Sequence, residues 1–336
     1  MGSFYYNSLS SNQKATYDTV VSGLKSMQQS IPIKSSTGIT ELIENITYDY
    51  PDLFYIDKKF NVTTSLRQTV LAPKYLYGKT QVATYRQQIE AITSEIIKGV
   101  INEHQSEYDK ALVLHDYLKK NIQYDYAALE SMVRNGKGFE DAFTVIGALI
   151  KHKCVCSGFS MAMKMLCDKI GLECHIISGI GNSSIYHGSH AWNLIRINGY
   201  FHHVDVTWDN QFTDDINIPN YGYFGLDDET ISKDHTWNRK IYPACPDSPY
   251  NYFKINQSLM DSQVQLEKYI YESMLNEDPL IMFKIKKGSP LEAEISGCLE
   301  KLIILASNKC KHSRMEQYSI QWIPEQLVYM LSIEYR

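Results

Sequence analysis

The chain has 336 residues, 44% of them hydrophobic, with a formal net charge of -5 and a pI near 6.1. That length allows two or three domains and a large buried core. The acidic balance argues against a nucleic-acid-binding face, and no apolar run is long enough to span a bilayer. Seven cysteines (Cys154, Cys156, Cys167, Cys174, Cys245, Cys298 and Cys310) are odd in number and scattered, unlike a disulfide framework. The 25 tyrosines suit packed interfaces and sugar- or peptide-binding surfaces, though filling a core is the commoner use. Met1-Gly2-Ser3 is compatible with an expression scar. As written the chain reads as cytoplasmic; if those residues replace a leader, it reads as secreted or surface-bound, so the compartment stays undecided.

In chain order, residues 10 to 30 read as a helix with Tyr17, Val20, Val21, Leu24 and Met27 on one face. A second helix, 40 to 50, stops at Pro51, and strand-like stretches occupy 53 to 72. Helical spacing returns over 81 to 103, then over 107 to 121 with Ala111, Leu114, Leu118 and Ile122 as its stripe. Residues 131 to 142 read as a loop or short helix. A helix over 157 to 170 buries Phe159, Ala162, Met163, Leu166 and Ile170 and stops at Gly171 in a left-handed cap. Cys167 and Cys174 read as small buried hydrophobes. Strands follow at 173 to 180, 190 to 197 and 200 to 207. Residues 208 to 250 read as loop-rich, with Pro219, Pro243, Pro246 and Pro249. Beyond a boundary near 250, helical (257 to 275, 290 to 306) and strand-like (279 to 285, 315 to 321, 327 to 335) stretches make a small α+β unit. The division is thus 1–104, 105–250 and 251–336, in an α+β chain.

Three short motifs carry the chemistry. Cys156 lies in Cys-Val-Cys-Ser-Gly-Phe-Ser, His190 in Ser-His-Ala-Trp-Asn and Asp205 in Val-Asp-Val-Thr-Trp-Asp. They have the composition of a thiol nucleophile, its base and the group that orients the base. Asn198-Gly199 between two alternating runs predicts a two-residue hairpin. Its register pairs Ile197 with Tyr200, hence His190 with Thr207 and Trp192 with Asp205, all four on one face. His190 and Asp205 then become diagonal neighbours, roughly 7 Å or less between Cβ atoms. Cys156 falls at a helix start, where free N–H groups and a partial positive charge favour thiolate and can form part of an oxyanion hole. Gly158 allows close approach of backbone or substrate. Trp192 and Trp208 are candidate walls of an acyl site, with core packing the plainer alternative.

These motifs, with Leu114-His115-Asp116-Tyr117-Leu118 and Ile122-Gln123-Tyr124-Asp125 ahead of them, resemble the bacterial transglutaminase-like superfamily. The resemblance covers about 105 to 245. It implies a papain-like core, in which a helix bearing the cysteine packs on an antiparallel sheet bearing His and Asp. By it, Cys156 is the nucleophile, His190 the general base and Asp205 the orienting acid, in an enzyme that takes a protein or peptide amide through a thioester. Tyr223-Phe224 and Asp234-His235 also look like these proteins. The implied activity is hydrolysis or acyl transfer, by a protease, deamidase or transglutaminase.

Other readings stand beside these. Cys156 could be a structural cysteine and Cys154 the nucleophile; Asp209 rivals Asp205, with a loop cap as its plainer role. A non-catalytic binding module on the same fold is the alternative function, and a glycan-releasing amidase a third, though the paired cysteines of its zinc site are not evident. Cys154, Cys156, His187 and His190 lack the usual zinc spacing, and His202 and His203 point to opposite faces of their strand. Asp214-Asp215 and Asp227-Asp228-Glu229 lack the pattern of a calcium loop. His115 and Asp116 sit on a helix in a supporting, core or surface role. No metal or cofactor is expected, the expected partner is a protein or peptide substrate, and nothing indicates the oligomeric state.

Overall fold

The computed structural model describes residues 4–135, 139–183, 187–211, 220–310 and 315–336. Met1-Gly2-Ser3, Asp214-Asp215 and Pro219 lie outside them. The chain is α+β, and its centre is one helix against one antiparallel sheet.

The helix runs from Cys156 to Lys169. Phe159, Ala162, Met163 and Leu166 are buried on one side, and Ser160, Met161, Lys164 and Cys167 are buried as well, so the helix is wrapped nearly all round. Gly171 ends it with φ of 75°. The N–H of Leu172 returns to the Cys167 carbonyl and that of Gly171 to Asp168, which satisfies carbonyls left open by the last turn.

The sheet has five strands in the order His235–Trp237, Cys174–Asn182, His187–Ile197, Tyr200–Val204 and Phe224–Leu226, every neighbouring pair antiparallel. Asn198 and Gly199 both have positive φ, as the two-residue turn requires. Pairing runs from Ile197–Tyr200 to Asn193–Val204 in the expected register. It stops there, because the chain turns at Asp205 into a short helix, Val206–Gln211. His190 therefore faces Gly179 on the other neighbouring strand, not Thr207. Within the loop-rich stretch 208 to 250, two three-residue strands join the sheet. Strands that short carry no readable alternation, so only their tertiary pairing defines them.

The N-terminal helices are Ser11–Lys25 and Ile39–Asp49, and the Ile56–Thr64 and Thr69–Tyr75 strands form a three-stranded sheet with Ile31–Ile33. This region shares its buried side chains with the central body in one cluster. Tyr5, for example, donates its hydroxyl to the Ile176 carbonyl of the central sheet at 2.8 Å. The Glu107–Asn121 helix starts at Ser106, whose hydroxyl and N–H exchange bonds with Asp109. Its expected stripe of Ala111, Leu114 and Leu118 is fully buried.

The last 80 or so residues carry a four-stranded sheet, ordered Leu259–Met260, Leu280–Ile285, Val328–Tyr335 and Met315–Ile323, with helices Gln263–Leu275 and Pro290–Lys309. Alternation divides this sheet cleanly. Ile281, Phe283, Leu331 and Ile333 pack with the two helices, while Met282, Val328 and Met330 join the main core.

Candidate active site

Cys156 is the first residue of its helix, after Val155 at the cap position. It is partly exposed, whereas Cys154, two residues earlier, is wholly buried. All seven cysteines are free. The Cys156 sulfur hydrogen-bonds the His190 imidazole and receives the Ala191 N–H. His190 presents Nε2 to Asp205 Oδ2 at 2.6 Å, which leaves Nδ1 for the sulfur. The structure thus brings the three sequence-predicted residues together.

Asp205 is one residue past the strand end. Its Oδ1 accepts the N–H groups of Thr207 (3.0 Å) and Trp208 (3.2 Å), capping the short helix that begins there. Its Oδ2 takes His190 and a second imidazole, His235 Nε2, at 3.1 Å. A residue that caps a helix with one oxygen has its other oxygen aimed by the backbone, so Asp205 is held more firmly than a diagonal strand pair would hold it. The strand expected to run on to residue 207 ends before this turn, which an Asp followed by a short helical stretch could have signalled.

The electrostatics follow from these contacts. Burial opposes the thiolate, but the His190 imidazole and the Ala191 N–H outweigh it and bring Cys156 below the usual thiol range. Burial likewise opposes the His190 imidazolium, yet Asp205 and the Cys156 sulfur raise it to about 10. Asp205 resists its own burial through His190 and His235 and stays well below the usual carboxylate range. Burial pushes Cys154 well up, aided by the neighbouring Cys156. The arrangement favours an imidazolium–thiolate pair.

The rival Asp209 is elsewhere engaged. Its Oδ2 meets His115 Nε2 at 3.0 Å and its Oδ1 accepts the Tyr223 N–H. Burial raises it despite these partners, the opposite of Asp205. His115 is fully buried, so a core role replaces any surface one.

The three residues expected to line a substrate site face inward. Trp192 and Trp208 are almost completely buried. Their rings lie 5.9 and 5.3 Å from that of His190, and 4.7 and 4.2 Å from that of His235. They enclose the two imidazoles and keep water from them. At Gly158 a Cβ would come within 2.6 Å of the Cys154 Cβ and 3.0 Å of the Ala142 carbonyl, so its smallness serves packing beneath the thiol. Gly179 was not anticipated: a Cβ there would meet the Thr236 carbonyl at 2.3 Å and the Trp192 ring at 2.7 Å. Neither glycine is distinguishable by sequence from any other in a strand or helix.

Two clusters among the described residues have donors suited to a cation, His190–Asp205–His235 and His203–Asp228–Cys245. In the second, His203 accepts the Trp192 indole N–H at Nδ1 and meets Asp228 through Nε2, so both its nitrogens are already used. The Cys154, Cys156, His187, His190 set does not converge: His187 is exposed and bonds Asn182. His202 and His203 do face opposite ways, and both are buried.

Two adjoining grooves of about 140 and 160 Å³ share Thr47, Ile56, Asp57, Lys58, Phe143 and Met161; Ser157, next to Cys156 in the chain, lines the second. Tyr48 also lines it, with its hydroxyl on Glu44 at 3.1 Å and near enough to Cys156 to feel its charge. One wall is therefore N-terminal and the other is the Cys156 helix.

Residues 94–206, which contain Cys156, His190 and Asp205, match the model of the transglutaminase-like superfamily. Kyphoscoliosis peptidase of Mus musculus is 22% identical over 147 residues, covering 41% of this chain and 21% of its own. The Homo sapiens protein of that name is 25% identical over 130 residues, covering 36% and 19%. The matched stretch is about a fifth of the length of these relatives. A solved structure described as a TGase is similar over 55% of this chain and 50% of its own, at 14% identity and a TM-score of 0.33, a likeness too partial to build on. On the family match, residues 94–206, about a third of the chain, resemble the transglutaminase-like superfamily, within an α+β fold that joins a cysteine-bearing helix to an antiparallel sheet.

Proposed function

We propose that this chain is a cysteine-dependent acyl-transfer enzyme acting on a protein or peptide amide. Cys156 is its nucleophile, His190 its general acid–base and Asp205 the group that orients His190. The observation that carries this is the partly exposed Cys156 at a helix start, its sulfur hydrogen-bonded to an imidazole that Asp205 holds at 2.6 Å.

In the reaction the Cys156 thiolate attacks the amide carbonyl and forms a C–S bond. The carbonyl electrons move onto oxygen, which the N–H groups of the helix's first turn stabilise. The C–N bond then breaks, the His190 proton goes to the departing amine, and a thioester remains. Water or a second amine attacks the thioester, gives its proton to His190 and releases the thiolate. Asp205 keeps Nε2 of the imidazole engaged throughout, so Nδ1 always serves the sulfur side.

The largely apolar grooves, one of them lined by Ser157, suit the side chains of an extended polypeptide, and Glu44, Asp57 and Lys58 are the charged residues that line that one. The peptidase name of the mouse and human relatives favours water as acceptor. The enclosing N-terminal wall favours an amine, since crosslinking needs the thioester shielded from water.

The deciding experiment is intact-protein mass spectrometry after acid quench, with a glutaminyl peptide as donor, with and without methylamine. An acyl adduct on Cys156 supports the reading, and a methylamide product identifies amine transfer. No adduct and no product from any donor peptide, with a thiol no more reactive than the other six, would leave the non-catalytic binding module as the better account.

A further inference from the structure

Asp205 does not end the chain of buried polar groups that begins at the thiol. Its Oδ2 also faces His235 Nε2 at 3.1 Å, and His235 Nδ1 faces Asp234 Oδ1 at 2.6 Å. Asp234 Oδ2 accepts the Tyr223 hydroxyl at 2.8 Å and the Gln326 amide N–H at 2.9 Å. Gln326 in turn accepts the Lys284 ammonium at 3.1 Å. His235, Tyr223 and Gln326 are fully buried and Asp234 is 2% exposed.

We propose that His235 and Asp234 form a second histidine–carboxylate pair that positions Asp205, and that Gln326 ties this pair to the C-terminal sheet. The inference rests on the role given to Cys156, His190 and Asp205 above.

Three observations support it. First, each ring nitrogen of His235 faces a carboxylate oxygen, Nε2 that of Asp205 and Nδ1 that of Asp234, so the ring is held from both sides. It fixes the same Asp205 oxygen that His190 uses, and rotation of Asp205 about its side-chain bonds would break both contacts at once. Second, a buried carboxylate such as Asp234 is tolerated only when its lone pairs are filled. Here the fillers come from three separate elements: the His235–Trp237 strand, the segment before Phe224–Leu226, and the turn between the last two strands. Third, Gln326 lies in that turn, residues 324–327, and belongs to the last part of the chain. Lys284 stands on the face of the C-terminal sheet that carries Met282 and joins the main core. The C-terminal region thus reaches the Asp205 carboxylate through two hydrogen-bonded residues, Asp234 and His235. His235 is a positioning residue: it touches Asp205 and not the sulfur.

The test uses the full chain and the pH dependence of Cys156 alkylation by iodoacetamide, which needs no substrate. The rate rises in two steps. The low-pH step reports formation of the ion pair and the high-pH step loss of the His190 proton. With Asp205 less firmly held, the imidazolium is less stabilised, so the high-pH step moves down. His235→Phe is expected to lower it by about one unit, that is a tenfold change in the equilibrium, and His235→Gln, which keeps one N–H for Asp205, to restore part of the shift. Gln326→Met and Tyr223→Phe, far from the sulfur, should move it the same way by less. A purely structural role would reduce the folded fraction and leave both steps where they are. An unchanged high-pH step in folded His235→Phe overturns the proposal; should that variant not fold, the same result in both Gln326→Met and Tyr223→Phe does so. One equivalent of a transition metal bound by the purified protein and lost in His235→Phe also overturns it, since the three side chains would then be ligands. A wild-type thiol titrating in one ordinary step defeats the reading of the whole site, and this inference with it.

Discussion

His115 and Asp209 meet at 3.0 Å although 94 residues separate them, and both side chains are completely buried. The contact joins the Glu107–Asn121 helix to the short helix that Asp205 caps. It therefore fixes the platform from which Asp205 addresses His190.

Breaking that pair leaves a charge in the core without its counterpart. Asp209→Ala or His115→Ala is expected to cost about 3 kcal/mol or more of folding stability. Urea denaturation followed by tryptophan fluorescence measures it. A loss below about 1 kcal/mol would mean that the pair is not the anchor described.

Cys156 should be the most reactive of the seven thiols at mildly acidic pH. Substoichiometric iodoacetamide at about pH 6 is expected to label it first, and peptide mapping identifies the site. Cys154 should stay unlabelled in folded protein, since burial pushes its thiol well up. His190→Ala removes the group that lowers the Cys156 thiol and should slow labelling at that pH about tenfold or more. Even labelling across the cysteines would contradict the pairing of sulfur with imidazole.

Gly179 lies where the edge strand and the Trp192 ring converge. Gly179→Ala places a methyl group against a backbone carbonyl that has no room to yield. The expected cost is about 1–3 kcal/mol, read as a lower unfolding temperature. Because the displaced strand carries His235, the pH profile of Cys156 alkylation should change with it. Full stability would show that the edge strand sits looser than described.

His202 is buried, and neither of its nitrogens has a hydrogen-bond partner among the described residues. Burial, then the neighbouring His203, lowers its pKa to about 4, against 6.5 in an unfolded chain. Below pH 6.5 the unfolded chain binds a proton that the folded one refuses. Stability due to this group is therefore complete above pH 6.5, falls as pH drops toward 4, and levels off below that. The loss is at most about 3 kcal/mol. His202→Phe should flatten that part of the stability–pH curve relative to the parent. Parallel curves for the two proteins would show that His202 finds a partner or water.

Much of the site was legible in the order of residues. Asn198-Gly199 favours a two-residue turn, and that turn length sets the register of the two strands it joins. That register is the one observed over Tyr200–Val204. The Ala111, Leu114 and Leu118 stripe was readable for the same reason: local geometry repeats at a fixed period. The three motif residues could be named because a thiol at a helix start and a two-residue hairpin turn are local signals.

What the order of residues could not supply was the company those residues keep. His235 reads as one histidine in a loop-rich stretch, and only folding brings it to Asp205, 30 positions away. Trp192 and Trp208 read equally as substrate walls or as core, and the close approach allowed at Gly179 and Gly181 decided for core. Secondary structure and turn chemistry depend on neighbours within a few positions, so the sequence alone determined the helix, the hairpin and the candidate thiol. Contacts between distant segments depend on how buried polar groups are mutually satisfied, and only the tertiary structure decided which carboxylate serves His190 and what stands behind it.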